Sequence, residues 1–370
     1  MNQTLIPFLF SSCDREDNDS VFDLQEVLSK FTFSTICKVA FGVDSSSSMS
    51  DLPFSQAFDD AVEICFFSRF LSPLPLIWKI KKFLNFGSEK RLKEAIEIIN
   101  SFAMQIIRSK LQETDQKNQD LLSRFIILSS DLEFQDQEHK TKFLRDIVIS
   151  FVLAGKDTTS SVLTWFFWLL AGNPRVTRLI HQELAEVASL SEPGPEFTSK
   201  TLRMRMFSYE ELKKLHYLHA TLSETMRLFP PVAINSRLTV DDDVLPDGTR
   251  VGRGWFADYS AYAMGRMEKI WGGDCREFKP ERWLDENDGK FQPSDQFRFP
   301  VFHCGPRTCL GKELGYIQMK AIAAALIYEF EILAVDGGAN AERMMNPPYV
   351  VSLLLKMKGG LKVKVKRRER

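Results

Sequence analysis

Hydrophobic positions recur at helical spacing over much of the first two thirds of the chain. Asp23 to Phe41 and Glu89 to Leu111 are predicted helices, the second with Leu92, Ile96, Ile99, Phe102 and Ile106 on one face. Between them, Ala61 to Phe86 is crowded with Phe, Leu, Ile and Trp78 and broken by Pro73 and Pro75. Thr141 to Gly172 is the longest periodic run, about 48 Å if continuous. Pro174 permits a fresh helix through Ala188, and Glu192 to Arg205, with Pro193 and Pro195, reads as a polar loop. Ser208-Tyr-Glu-Glu211 is a capping box, opening a helix that Pro230-Pro231 must stop.

Beyond that point the pattern mixes. Val244 to Thr249 and Gly254 to Tyr262 carry turn and strand signals, and Gly311 to Phe330 is helical again. The end predicts a hairpin, with Tyr349 to Met357 as one arm, a Lys358-Gly359-Gly360 turn, and Leu361, Val363 and Val365 alternating with lysines. The basic tail, Lys362 to Arg370, reads as a solvated strand edge. No internal repeat occurs and the only low-complexity tract is Ser45 to Ser48. The expectation is one mainly α domain over residues 1–370 with small β-sheets, because no linker rich in Pro, Gly or Ser divides it.

Composition changes this picture little. A content of 44% hydrophobic residues suits a globular core, and 48 basic against 49 acidic side chains leave a formal net charge of −1, which offers no field for nucleic acid. Six cysteines without regular spacing or a C-x-x-C pair argue against a disulfide framework or zinc ribbon. No run of 18 uncharged apolar residues exists, and the start lacks the basic flank of a signal peptide, so the chain as written reads as soluble or peripheral.

The chemistry is concentrated in Phe302-His-Cys-Gly-Pro-Arg-Thr-Cys-Leu-Gly311. A porphyrin iron needs one strong protein ligand, close backbone approach and a cation for its propionates. Cys309 stands where a helix begins, so unpaired backbone N–H groups and the positive end of the helix dipole favour its thiolate. Gly305 permits a positive φ, Gly311 brings the helix near the ring, Arg307 can reach a propionate, and Phe302 would shield the sulfur from water. A chance match to these positions is on the order of one in ten thousand. Cys304, on the other side of the arginine with no helix start behind it, reads as a small buried apolar residue. His216 and His219 lie three apart but have no third ligand of matching spacing, so they read as packed or exposed histidines.

In the long periodic run, Ala154-Gly-Lys-Asp-Thr158-Thr places an acid and hydroxyls amid apolar residues. Gly155 weakens the helix, and a Thr158 hydroxyl bonded back one turn would open a groove in which Asp157 and Thr158 relay protons to a bound oxygen. Glu224 and Arg227 share a helix face three residues apart.

The loop Phe302-x-x-Gly305-x-Arg307-x-Cys309-x-Gly311 resembles the signature of the cytochrome P450 monooxygenases, and Ala154 to Thr158 resembles the family's oxygen-activation motif. The resemblance implies haem b (iron protoporphyrin IX) held by Cys309, with O2, an apolar substrate and NADPH–cytochrome P450 reductase as partners. It implies that Glu224, Arg227 and Arg282 form a buried structural triad and that Arg237 pairs with a propionate. It extends from Asp23 to the end and is closest to plant fatty-acid omega-hydroxylases and jasmonate-conjugate oxidases, carried by Asp23 to Val27, Ile36 to Gly42, Trp271 to Cys275 and Gly311 to Lys320. The implied substrate is a long-chain fatty acid hydroxylated near its terminal methyl. Ala61 to Phe86 would then roof the access channel, while Val232, Ala233, Ile234 and Asn235, together with Pro348 to Val351 (including Tyr349 and Val350), would line the pocket. Family members act at the endoplasmic reticulum membrane and begin with an anchor and further helices, so the chain is expected to be a P450 fold lacking its N-terminal quarter. Two other readings stand beside this one: a hydroperoxide-rearranging enzyme, disfavoured by the Asp157-Thr158 pair, and a non-catalytic remnant that binds a partner or cannot retain haem.

Overall fold

The computed structural model describes residues 21–43, 52–70, 75–112, 120–190, 196–199, 202–335, 344 and 346–368. Cys13, Ser45 to Ser48, Pro73, Pro193 and Pro195 lie outside them, as do Glu369 and Arg370 of the basic tail. The described chain is mainly helical with small sheets, and its internal contacts divide it into two compact units, one dominated by residues 26–160 and one by 161–350 with 354–370.

The first unit is a helical body. Its elements are α1 (Leu24–Phe41), α2 (Leu52–Ile64, continued by a π-turn over Cys65–Phe70), α3 (Pro75–Phe83), α4 (Ser88–Gln112), α5 (Leu121–Leu128), α6 (Gln137–Gly155) and the first turn of α7 (Asp157–Ala171). Phe54 stacks on Phe102 at 3.8 Å and on Phe33 at 5.4 Å, the centre of a core completed by Ile36, Phe41, Ile99, Ile106, Leu144, Val148 and Val152. The buried stripe of α4 runs Leu92, Ala95, Ile99, Phe102, Ala103, Ile106, Ile107, and Ile96 is 42% exposed, against the expectation for that face. Successive steps of three and four residues keep the stripe on one side, and Ile96 falls on its flank. Pro75, predicted as a breaker, instead opens α3, because its missing N–H costs nothing in a first turn.

The expected single helix from Thr141 to Gly172 is two, separated at Lys156. The Thr32 hydroxyl donates to the Lys156 carbonyl at 2.6 Å, drawing it toward α1, and the Thr158 hydroxyl donates to Ala154 O at 2.6 Å, competing for the ladder. A methyl group on Gly155 would meet the Ile36 side chain at 2.7 Å, so only glycine lets α1 approach so closely.

The second unit holds the rest of α7, α8 (Pro174–Ser189), a ladder of β2 (Glu196–Ser199) with β3 (Leu202–Arg205), α9 (Tyr209–Lys214) and α10 (His216–Leu228). The ladder occupies part of the segment expected to be a polar loop: alternation there is too short to stand out locally, and pairing between the two strands supplies what periodicity did not. The capping box at Ser208 is present with both its bonds, but the helix it opens stops at Leu215, whose ψ of 82° leaves the helical region. Glu183 then accepts the N–H groups of Tyr217 and Leu218 at 2.6 and 2.9 Å and so caps α10 from outside. The helix ends at Phe229, before the two prolines.

Small antiparallel ladders follow: β4 (Asn235–Leu238) with β7 (Phe256–Tyr259), and β5 (Asp243–Val244) with β6 (Arg250–Val251). Two short helices, α11 (Ala261–Met264) and α12 (Glu268–Trp271), lead through the 3-10 turn Pro280–Trp283 and a long loop to α13 (Lys312–Glu329). The C-terminal strands correct the predicted hairpin. Gly359 and Gly360 do turn, with φ of 83° and 76°, but β10 (Leu355–Met357) pairs with β9 (Tyr349–Val351), whereas β11 (Lys362–Arg367) lies between β8 (Phe330–Ala334) and β1 (Phe22–Asp23). The basic tail is therefore a central strand and not an edge, with Val363 and Val365 buried on one face and lysines on the other.

His219 stacks on Phe291 at 3.8 Å and lies 4.2 Å from the Tyr316 ring, and His216 Nδ1 accepts the Phe291 N–H at 3.4 Å, so both histidines are packed against α13 and its approach loop. Burial, aided by Lys320, pushes the His219 imidazole down to about 3. An unfolded chain protonates His219 near 6.5 while the folded one resists until far lower, so this stability is complete above about pH 6.5 and is lost as the pH falls toward 3. Between pH 6.5 and 5 the loss from this group is expected to be roughly 2 kcal/mol. Urea unfolding at both pH values should show a drop in midpoint that His219→Phe reduces; an unchanged drop in the variant would assign it elsewhere.

Candidate haem-binding site

The expected ligand loop lies wholly within the second unit and is built by backbone geometry. Pro300–Phe302 forms one 3-10 turn and Gly305–Arg307 another. Between them His303 takes φ 58° and Gly305 φ 62°, two reversals of a kind that L side chains avoid. They fold the chain back so that the Cys309 N–H donates to the Phe302 carbonyl at 2.8 Å. Cys309 is thereby held on an exposed face, two residues before Gly311, which is the N-cap of α13. The first turn of α13 begins at Lys312, whose N–H donates back to the Cys309 carbonyl at 3.4 Å.

The residues present fit a haem. A methyl group at Gly305 would meet nothing within 4 Å, and one at Gly311 would meet only the Cys309 sulfur, at 3.8 Å, so both glycines keep the face around the sulfur clear. Arg307 is exposed and has no hydrogen-bond or ion-pair partner among the described residues, which leaves a cation for a propionate. Leu310 is fully exposed beside the sulfur, an apolar side chain suited to a flat ring. Phe302 packs its ring 5.3 Å from Tyr316 and contributes its carbonyl to the turn. Cys304, read from sequence as buried, is half-buried at the start of the second 3-10 turn.

Arg237, on β4, reaches the same loop. Its Nη2 lies 3.4 Å from His303 Nδ1, and the Tyr259 hydroxyl shares a hydrogen bond with the same nitrogen at 2.9 Å. Burial first, and the Arg237 charge second, hold the His303 imidazole below its ordinary value. Nothing in the sequence marked His303, because its left-handed backbone carries no residue signal of the kind glycine gives.

The triad assembles behind this loop. Glu224 and Arg227 are fully buried on α10, and the Arg227 Nε and Nη2 donate to the two carboxylate oxygens at 2.7 and 2.8 Å. Arg282 Nε donates to Glu224 Oε1 at 2.9 Å. Two donors not foreseen complete the set: the Trp283 indole N–H and the Lys279 backbone N–H, each at 2.9 Å. Arg227 Nη1 and Nη2 donate to the carbonyls of Cys275 and Glu277 at 2.6 and 2.8 Å, and Nη1 also to Gly265 O. Arg282 turns its outer nitrogen to Asp274 at 3.2 Å. One carboxylate therefore ties α10 to the segment Gly265 to Trp283 that precedes the ligand loop. Charge-assisted, bidentate bonds make such a knot directional.

The candidate substrate residues fall into two segments of the second unit, the approach to β4 and the strand β9, which meet through Tyr262. The Ala233 carbonyl accepts the Tyr262 N–H at 3.2 Å, and the Tyr262 ring lies 6.1 Å from Tyr349. Asn235 is buried, Val232 half-buried, and Ile234, Tyr349 and Val350 exposed. The carbonyl of Leu355, at the start of β10, accepts from Ser161 Oγ and Trp165 Nε1, both at 2.8 Å.

Asp157 and Thr158 belong to the first unit. The Thr158 hydroxyl is bonded to Ala154 O as described. The Asp157 carboxylate is buried, with Ser29 Oγ at 3.4 Å and the Lys156 ammonium at 3.3 Å.

The sequence profile of the cytochrome P450 family matches residues 8–364. The chain is 44% identical to cytochrome P450 94A1 of Vicia sativa over 380 residues, which cover all of this chain and 68% of the relative. It is 44% identical over 349 residues to cytochrome P450 CYP94D108 of Paris polyphylla (93% of this chain, 65% of the relative). With cytochrome P450 94C1 of Arabidopsis thaliana it shares 42% over 367 residues, 98% of this chain and 69% of the relative. The chain thus spans about two thirds of the length of these relatives.

Proposed function

The chain belongs to the cytochrome P450 family of haem b monooxygenases, which use O2, an organic substrate and electrons from a redox partner, and from that premise we propose that it hydroxylates a long-chain fatty acid at or near the terminal methyl. NADPH–cytochrome P450 reductase is the proposed electron donor and the endoplasmic reticulum membrane the proposed place of action. Among the described residues no helix is long and apolar enough to cross a membrane. The single family match over residues 8–364 supports reading the chain as one domain of that family.

The observation that carries the catalytic part is the loop that leaves Cys309 exposed between two glycines with Arg307 uncommitted. Cys309 would hold the iron, while Arg307 and Arg237 would meet the propionates. When bound, the haem supplies O2 activation, so that one oxygen atom enters a C–H bond and the other leaves as water with two electrons and two protons. Asp157 and Thr158 would hand on those protons. Val232, Ala233, Ile234, Asn235, Tyr349 and Val350 would hold the acyl chain, and all of these side chains but Asn235 are aliphatic or aromatic, with no charge among them to repel it. The fatty-acid assignment is supported by the motif resemblance and by identity above 40% along the chain.

Haem-loaded protein supplied with NADPH, a plant reductase and dodecanoic acid is expected to yield a hydroxy acid substituted at or next to the terminal carbon. Protein with an intact carbon-monoxide spectrum that leaves dodecanoic, hexadecanoic and octadecenoic acids unchanged would overturn the substrate class.

A further inference from the structure

The separation between α6 and α7 is held by a buried cation. The Lys156 side chain is 1% exposed, and its ammonium lies 2.8 Å from Asp59 Oδ1 on α2 and 3.3 Å from Asp157 Oδ1. Asp59 is 45% exposed, so one end of this chain of charges meets water and the other ends on the acid beside Thr158. Helix α1 closes the remaining side, with Ser29 at the Asp157 carboxylate and Thr32 at the Lys156 carbonyl. A buried ion pair rarely adds stability over an apolar side chain of the same volume, so stability alone does not account for a lysine here. Its effect is on the carboxylate: an adjacent ammonium favours the ionised form and fixes which way the group points.

We propose that Lys156 is a positioning residue for proton delivery: it holds the Asp157 carboxylate in place and, through Asp59, makes that acid respond to the placement of α2. This rests on the reading of Asp157 and Thr158 given above. The apolar region expected to roof the access channel begins at Ala61 in the last turn of helix α2, two residues after Asp59, so the bridge links that end of substrate entry to the supply of protons. A shift of α2 that carries Asp59 away leaves Lys156 to Asp157 alone; its return divides the ammonium between two acids.

The test compares wild type with Lys156→Met, Lys156→Arg, Asp59→Asn, Asp157→Asn and Thr158→Ala in the haem-loaded protein with reductase, using dodecanoic acid as probe. Lys156→Met is expected to raise the share of electrons released as peroxide by roughly threefold or more, with probe binding unchanged and the pH profile of coupling displaced. Lys156→Arg should restore wild-type coupling, and Asp59→Asn, which leaves the ammonium to Asp157 alone, should displace the profile in the direction opposite to Lys156→Met. A second readout needs no turnover. In infrared spectra of the resting protein with isotope-labelled aspartate, Lys156→Met should show at neutral pH a protonated carboxyl band that Asp157→Asn removes, absent from wild type and from Lys156→Arg. Wild-type coupling and no such band in Lys156→Met, while Asp157→Asn and Thr158→Ala waste electrons, would overturn this proposal alone. Full coupling in Asp157→Asn and Thr158→Ala would overturn the assignment beneath it. Should Lys156→Met fail to fold, a wild-type profile in Asp59→Asn would still refute the link to α2.

Discussion

Cys309→Ala is expected to abolish the red-shifted Soret band of the reduced, carbon-monoxide-treated protein completely, while Cys304→Ala keeps it. The two thiols are five residues apart in one loop, yet the backbone treats them differently. Cys309 is exposed beside Gly311, where a side chain would touch its sulfur, and its N–H is fixed by the Phe302 carbonyl. Cys304 precedes the Gly305–Arg307 turn, is half-buried, and has that turn and not a helix start after it. An iron ligand needs a free approach to its sulfur, and only Cys309 combines that exposure with the start of a helix just after it. Retention of the band in Cys309→Ala with its loss in Cys304→Ala would reverse the ligand assignment. No band from either variant or from wild type, with haem supplied, would remove the catalytic reading.

Glu224→Ala is expected to give the largest loss of stability of any single substitution in the second unit, about 3–5 kcal/mol. The carboxylate accepts five hydrogen bonds, from Arg227 twice, Arg282, Lys279 and Trp283. Its removal strands the Arg227 guanidinium, which has no exposure to water. The remaining carbonyl acceptors at Gly265, Cys275 and Glu277 keep that cation inside without neutralising it. Glu224→Gln retains the shape and one good acceptor and should lose less, which gives a soluble comparison if the alanine variant does not accumulate. Urea unfolding followed by tryptophan fluorescence measures both. A loss under about 1 kcal/mol in Glu224→Ala would mean that the knot does not hold this part of the fold.

Much of this site was legible because its demands are local. The glycine at 305, the helix start after Cys309 and the acid and hydroxyls inside an apolar run each announce themselves within ten residues. The back-bond from Thr158 to Ala154 follows from one turn of helix. The triad needed the family resemblance, since nothing in spacing joins Arg282 to a helix more than fifty residues earlier. What escaped the sequence is non-local or backbone-encoded. The stop at Leu215 depends on Glu183, about thirty residues upstream, taking the N–H groups of the next helix. The place of Lys156 depends on Asp59, and that of β11 on partners at both ends of the chain. His303 adopts a glycine-like φ that its residue type does not advertise.

The central position of β11 also sets an order of events in biosynthesis. Phe22 pairs with Val363, and a methyl group on Gly360 would collide with the Asp23 carboxylate, so the first described strand is stitched to nearly the last across some 340 residues. While the ribosome is still making the segment before residue 362, β1 and β8 have no partner and stand as open edges. Closure of that ladder must await synthesis of residues 362 to 367, and its long loop makes it slow as well as late. A stop codon just before residue 362 would leave the Cys309 loop intact in sequence and yet expose two strand edges, which directs such a product toward aggregation or proteolysis before haem can be acquired.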